Sequence, residues 1–244
     1  DRYNCILRKS VNLSKESHIL AANIDQAILV VTLDSPVTTT SFIDRFLIAA
    51  VNAGVEVVLL FNKLDLLNKK LQLQQVYLQK IYETIGYKCF ALSVIIDDLS
   101  EIKALMKDKI NMISGHSGVG KSTFINRLQP DLNITTSKVS NYHKQGQHTT
   151  TFSQLYDLDF GASIIDTPGI KGFGLVDLDA INISSCFKEF FSLSSNCKFH
   201  NCIHHKEPDC AVKSALSNGD ISEIRYKNYL SMLVEQSNYR KNDY

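Results

Sequence analysis

No stretch of this sequence approaches the roughly 20 apolar residues of a membrane-spanning helix. The longest apolar run, Val55 to Phe61, is strand-sized and carries Glu56. The start shows no secretion-leader pattern, because Arg2, Arg8 and Lys9 sit among polar residues. A cytoplasmic protein is therefore expected, with no membrane partner. The chain begins at Asp1 rather than Met, so a preceding N-terminal piece is expected. Charge of one sign is also lacking: Lys and Arg number 26, Asp and Glu 25, for a net +1. That balance gives no support to a strongly electrostatic nucleic-acid binder, although it leaves room for a local basic patch. Internal repeats and low-complexity segments are absent. A disulfide framework is not expected either, since the six cysteines come without a leader. Cys5, Cys89 and Cys186 are scattered, but Cys197, Cys202 and Cys210 fall close together, which points to metal.

What is present is an alternation of strand and helix patterns over 244 residues. Ala27–Val31 is a β-branched, fully apolar run suited to a buried strand, and Val55–Phe61, Cys89–Val94, Ile110–Ser114 and Ala162–Ile165 read as further strands of mostly apolar residues. Helical patterns separate them at Ser41–Ala53 (stopped by Gly54), Leu66–Ile85 (stopped by Gly86), Leu99–Lys107 and Lys121–Leu128. The alternation predicts an α/β fold, a mostly parallel sheet with helices on both faces. Gln129–Thr151 is long, polar and without period, which in a compact domain implies a task. After Asp177 strand signals cease, and helical patterns at Ala180–Phe191 and Ile221–Gln236 flank the cysteine cluster. A boundary is placed near 175.

Gly115-His116-Ser117-Gly118-Val119-Gly120-Lys121-Ser122 follows an apolar strand and opens a helix, the context a phosphate-binding loop requires. Its glycines let backbone N–H groups face the phosphates, and the helix N-terminus adds partial positive charge. Lys121 is assigned the β- and γ-phosphates and a catalytic role, Ser122 a place on Mg²⁺, and Thr123 the end of the loop. The base is expected to be read elsewhere. Asn62-Lys63-Leu64-Asp65 follows the second strand, and the Asp65 carboxylate suits the N1–H and exocyclic amine of guanine. Adenine lacks that amine and leaves the carboxylate underpaired, which selects GTP and GDP. Asn62 and the Lys63 stem would hold the turn and cover the ring. Ser93-Val94 ends the next strand where GTPases usually have Ser-Ala; its backbone N–H groups either contact the guanine oxygen or simply end a strand.

The order of these motifs is unusual. Asn62–Asp65 precedes Ser93, then Gly115–Ser122, then Asp166-Thr167-Pro168-Gly169, which is a circular permutation of the ordinary GTPase order. In that order, and in Ala22–Gln26, Asp44-Arg45, Gly146–Thr151, Asp166–Phe173 and the cysteine cluster, the chain resembles the ribosome-small-subunit-dependent GTPase A family (RsgA, also called YjeQ) over nearly its whole length. The resemblance implies a remnant of an N-terminal OB-fold or linker at 1–18, a permuted GTPase domain at 19–175, and a C-terminal zinc-binding helical domain at 176–244. It implies the small ribosomal subunit and its rRNA as partners, with the chain itself a monomer.

Asp166 would hold the Mg²⁺ shell, the Gly169 N–H would sense the γ-phosphate, and Thr150, ahead of Thr149, would complete the shell as a switch residue. Ras-like enzymes place a water-orienting Gln just after Asp-x-x-Gly; here Ile170 stands there. His148 is the candidate replacement, with a structural or ribosome-contacting role as its alternative. Cys197-x4-Cys202-x-His204-x5-Cys210 offers a closed tetrahedral set for one structural Zn²⁺. His200 and His205 compete with His204 for the fourth place, and the resemblance favours His204. The functional candidates are thus a ribosome-dependent GTPase, a GTP-controlled RNA- or ribosome-binding module with incidental hydrolysis, and a P-loop kinase or ATPase.

Overall fold

Gln26–Val31 (β3) lies near the middle of a six-stranded sheet, and every one of its residues is buried. In the computed structural model, which describes residues 1–9, 17–134, 153–170, 172–176 and 178–241, the chain opens on an antiparallel hairpin of Cys5–Lys9 (β1) and Ser17–Ala22 (β2). It continues through β3, Thr40–Asn52 (α1), Glu56–Phe61 (β4), Lys69–Thr84 (α2), Lys88–Ala91 (β5), Ser100–Met106 (α3), Ile110–Ser114 (β6) and Lys121–Leu128 (α4). Gln154–Leu158 (β7) and Ala162–Asp166 (β8) complete the sheet, whose order is β5-β4-β3-β6-β8-β7. All its neighbouring pairs are parallel except β7 with β8.

Alternate residues of the central strands feed two cores. Ala27, Leu29 and Val31 of β3 and Val57, Leu59 and Phe61 of β4 meet Phe46 and Leu47 of α1 and Leu78 and Tyr82 of α2. Ile28, Val30, Val58 and Leu60 point to the other face, against Ile102 of α3 and Phe124 and Leu128 of α4. Two covered faces explain why these strands read as unbroken apolar runs instead of alternating.

The helix starts are local decisions. The Thr39 hydroxyl accepts from Phe42 N–H ahead of α1, and Asn68 Oδ1 accepts from Leu71 N–H ahead of α2. Helix α2 therefore begins at Lys69 rather than Leu66, because Leu64–Leu66 is spent on a 3-10 turn that presents Asp65. Strand β5 is shorter than the Cys89–Val94 run, and β2 crosses the 18/19 boundary drawn from sequence.

Beyond β8 the described chain is helical: Ala180–Ser185 (α5), Lys188–Ser194 (α6), Ala211–Asn218 (α7) and Glu223–Lys241 (α8). The pattern at 180–191 splits in two at Cys186 and Phe187. These helices form a third core around Phe187, Phe190 and Tyr229, which also takes in Ile48 of α1. Helix α1 is thus buried on two sides, against the sheet and against the C-terminal helices.

Candidate functional site

Loops leave the same edge of the sheet after β3, β4, β5, β6 and β8. The strand order runs outward in both directions from β3 and β6, and ligands of open α/β sheets bind at such a switch point. Four of these loops carry the residues singled out from sequence.

The loop after β6 needs its glycines. Gly115, Gly118 and Gly120 have φ of 145°, 85° and 103°. A Cβ on Gly115 would lie 2.5 Å from the Val30 carbonyl oxygen, and one on Gly120 2.4 Å from Asn62 Nδ2. Lys121 begins α4, is 8% exposed, and donates from Nζ to the carbonyls of Gly115 and His116 at 3.0 and 2.9 Å. Burial pushes its ammonium down to about 8, against an opposing pull from the Asp166 carboxylate. His116, Ser122 and Thr123 are half-buried, Val119 is buried and Ser117 is exposed.

Asn62 ties the site together. Its Nδ2 donates to the Val119 carbonyl at 2.8 Å, and its Oδ1 accepts from Val94 N–H at 3.0 Å. Lys63 takes a left-handed φ of 65° and donates from Nζ to the Ser35 carbonyl at 2.6 Å. Asp65, in the 3-10 turn, keeps its carboxylate exposed beside this assembly. Ser93 and Val94 reach the site, but their N–H groups are spent within the chain: Ser93 N–H donates to Asp97 Oδ2 at 2.7 Å, and Val94 N–H to Asn62. Asp97 and Arg127 were not foreseen. Arg127 donates to the carbonyls of Val94 and Asp97, both at 3.0 Å, and so braces the turn that meets Asn62. Their sequence signal is weak, one acidic residue in the turn after β5 and one arginine on α4.

Asp166 ends β8 and is buried. Thr167 is anchored beside it, its N–H and hydroxyl both donating to the Ile113 carbonyl. Gly169 packs on Ser117 so closely that a Cβ there would sit 2.9 Å from Ser117 N, Cα and Cβ. The structure therefore brings Asp166 and Gly169 onto the phosphate loop. His148, Thr149 and Thr150 lie outside the described residues.

A second constellation lies among the C-terminal helices. The ligand atoms of Cys197, Cys202, His204 and Cys210 all fall within 4.8 Å of one another. Cys197 Sγ is 3.9 Å from Cys210 Sγ and 3.6 Å from His204 Nδ1, and the latter is 3.4 Å from Cys210 Sγ. A tetrahedron with zinc–sulfur bonds of about 2.3 Å has edges of about 3.8 Å, so the donor set fits that ion. His204 adopts a φ of 57° that turns its ring inward, whereas His200 and His205 are exposed. The Tyr226 hydroxyl donates to the His204 carbonyl at 2.8 Å, and the Tyr229 hydroxyl to that of Ile203. Glu207 accepts from the N–H groups of Ile203 and His205. These bonds hold the loop that carries the imidazole.

Known proteins are similar to this chain over nearly its whole length. The family model described as RsgA GTPase matches residues 1–176. A protein of Flavobacterium johnsoniae named small ribosomal subunit biogenesis GTPase RsgA is 53% identical over 246 aligned positions, covering 100% of this chain and 76% of that protein. Its namesake in Bacteroides fragilis is 49% identical, covering 98% and 78% respectively. Among solved structures, YjeQ from Thermotoga maritima superposes with a TM-score of 0.77 at 35% identity, over 96% of this chain and 76% of that one. YloQ, described as a circularly permuted GTPase, gives 0.74 at 26% identity, over 96% and 79%.

Proposed function

The chain belongs to the RsgA GTPase family, and on that membership and the geometry of the 115–123 loop we propose that it hydrolyses GTP to GDP and phosphate in the maturation of the small ribosomal subunit. The observation that carries the reading is Asn62, whose amide joins the Asn-Lys-x-Asp turn to the phosphate loop on one side and to Val94 on the other. A base reader and a phosphate cradle held by one side chain are what a guanine nucleotide needs from a parallel sheet edge.

In this reading Asp65 accepts from the guanine and the loop N–H groups from 117 to 123 face the phosphates. Lys121 supplies charge where the γ-phosphate leaves. Mg²⁺ would be held by Ser122 and, through its water shell, by Asp166, with Thr150 or Thr149 completing the set. One zinc ion would serve structure alone, since four protein ligands leave no open position. The small subunit is taken as a partner from the names of the relatives and its rRNA from the family resemblance, with the chain acting as a cytoplasmic monomer.

The Lys121 shift has a measurable consequence. Bound phosphates favour the ammonium, so affinity for GDP is highest below pH 8. It should fall by up to about tenfold per pH unit above that, as the free protein gives up the proton that binding must restore. A pH series of fluorescent-GDP titrations from 7 to 9.5 checks this, and a flat profile overturns it.

One observation favours a second reading. Ile170 is 1% exposed and belongs to the sheet core, so it cannot orient water. Unless His148 does so, hydrolysis is slow and GTP chiefly controls docking. Turnover of the full-length protein with and without small subunits separates the two. Strong stimulation is expected; equal slow turnover supports the docking module, and a preference for ATP sinks both.

A further inference from the structure

The residue that occupies the usual glutamine position is tied by its backbone to the phosphate loop and buried in the core that α1 helps to form. Ile170 N–H donates to the Gly115 carbonyl at 3.2 Å, and its own carbonyl lies 2.5 Å from His116 Nδ1. Because that partner is a carbonyl oxygen, Nδ1 must carry the proton. Two successive loop residues therefore grip the two backbone polar groups of one residue. The Ile170 side chain is buried in the core with Phe42 and Phe173.

The imidazole is not free to let go. Its ring centroid is 4.0 Å from that of Phe42 in the first turn of α1, and Phe42 meets Phe173 edge-on at 6.3 Å. Phe46, one helical turn further along, packs against the same Phe173 at 5.6 Å. On the opposite side Gly169 rests on Ser117 without room for a methyl group. The peptide unit ahead of Ile170 is thus fixed between a hydrogen-bonded clasp and a steric stop.

We propose that His116 is a positioning residue for GTP hydrolysis, whose imidazole N–H clasps the Ile170 carbonyl and keeps the Asp166–Ile170 segment seated on the phosphate loop. This rests on the GTPase reading above. Gly169, one residue before the clasp, owes its orientation towards the γ-phosphate to it. The position that in other GTPases carries a mobile polar side chain is converted here into an anchor, and the polar group has moved into the loop itself. A misplacement of about 1 Å at such a point costs up to about 100-fold in rate, so loss of one of two tethers is assigned about tenfold.

The test compares His116→Asn, His116→Gln and His116→Ala in the full-length protein, measuring GTP turnover with small subunits present. Asparagine Nδ2 occupies the place of histidine Nδ1, whereas the glutamine amide sits where Nε2 was. The Ala and Gln variants are expected to lose about tenfold in kcat with KM for GTP within about threefold, and the Asn variant to return to within about threefold of wild-type kcat. An unchanged kcat in the Ala variant overturns the proposal. So does an equal loss in all three, which would make ring packing on Phe42 the whole effect, or a rise in KM at constant kcat. The comparison of Asn with Gln holds even where Ala lowers stability. A wild-type protein without GTP turnover fails the GTPase reading itself, a result separable from the variant series.

Discussion

A Cys210→Ser variant is expected to lose its metal and, with it, the ordered packing of the C-terminal helices. Cys202, His204 and Cys210 are all less than a tenth exposed, and Cys210 immediately precedes α7 as its N-cap. Without an ion, two buried thiols, the half-buried Cys197 thiol and a buried imidazole stand with little but one another as partners, a costly arrangement. Structural zinc in small metal-dependent domains contributes about 10–16 kcal/mol of apparent binding energy, which is folding energy wherever the site does not preexist. Here part of the subdomain has other support, the stack of Phe187 on Phe190 at 4.8 Å with Tyr229 edge-on to both. The loss is therefore expected to centre on residues 197–218 and the first turns of α8, where Tyr226 and Tyr229 donate to the metal loop. Metal analysis should find one zinc per wild-type chain and none in the variant. Hydrogen exchange should show protection lost across that segment. A wild-type chain without stoichiometric zinc, or a variant with undiminished protection, contradicts the assignment.

Which parts of this molecule were legible in sequence follows from where its information is local. Strands β3, β4 and β6 and the loop at 115–122 announce themselves by apolar runs and by glycines whose φ values other residues resist. Strand β7 did not, because Gln154–Leu158 is an antiparallel edge strand with only Leu158 buried, and its sequence carries no run to notice. Strand β2 carries no such run either: its first three residues are exposed, and the strand remnant or linker expected at 1–18 stops at the second residue of Ser17–Ala22. The start of α2 was misplaced because Leu66 looks helical, while tertiary demand for a turn at Asp65 overrides it. The metal cluster was visible as chemistry, but the choice among His200, His204 and His205 depends on backbone geometry at 204 that spacing does not encode. His116 was visible as a loop residue, whereas its clasp on Ile170, 54 positions away, was not.

Breaking the charge network between α1 and α8 is expected to cost about 3–5 kcal/mol, the range for removing one partner of a buried ion pair. Arg225 and Asp44 are 1% and 0% exposed, with Arg225 Nη1 2.5 Å from Asp44 Oδ1, and Glu189 of α6 takes two further bonds from the same guanidinium. Asp44 also accepts from the Tyr82 hydroxyl at 3.0 Å and from Asn228 at 2.6 Å. Burial raises the Asp44 carboxyl above its ordinary range in spite of these donors, Arg225 foremost among them. The carboxylate is thus held at a cost, and the network defines geometry more than it adds stability. Asp44→Ala leaves Arg225 short of a partner and orphans Tyr82 and Asn228; Arg225→Ala leaves two carboxylates buried together. Either change should lower the melting temperature by about 10 °C in a chain of this size. The double variant Asp44→Leu/Arg225→Met should recover most of that loss, because apolar replacement of a whole pair is often near neutral. It should not recover all of it, since Glu189 and the Tyr82 hydroxyl still lose a partner. Urea melts of the four proteins check this, and single variants within about 1 kcal/mol of wild type would contradict it. The same helix that carries Asp44 carries Phe42, which packs on the His116 ring. A loosened α8 should therefore be felt at the phosphate loop, as a reduced kcat in the single variants that returns in the double.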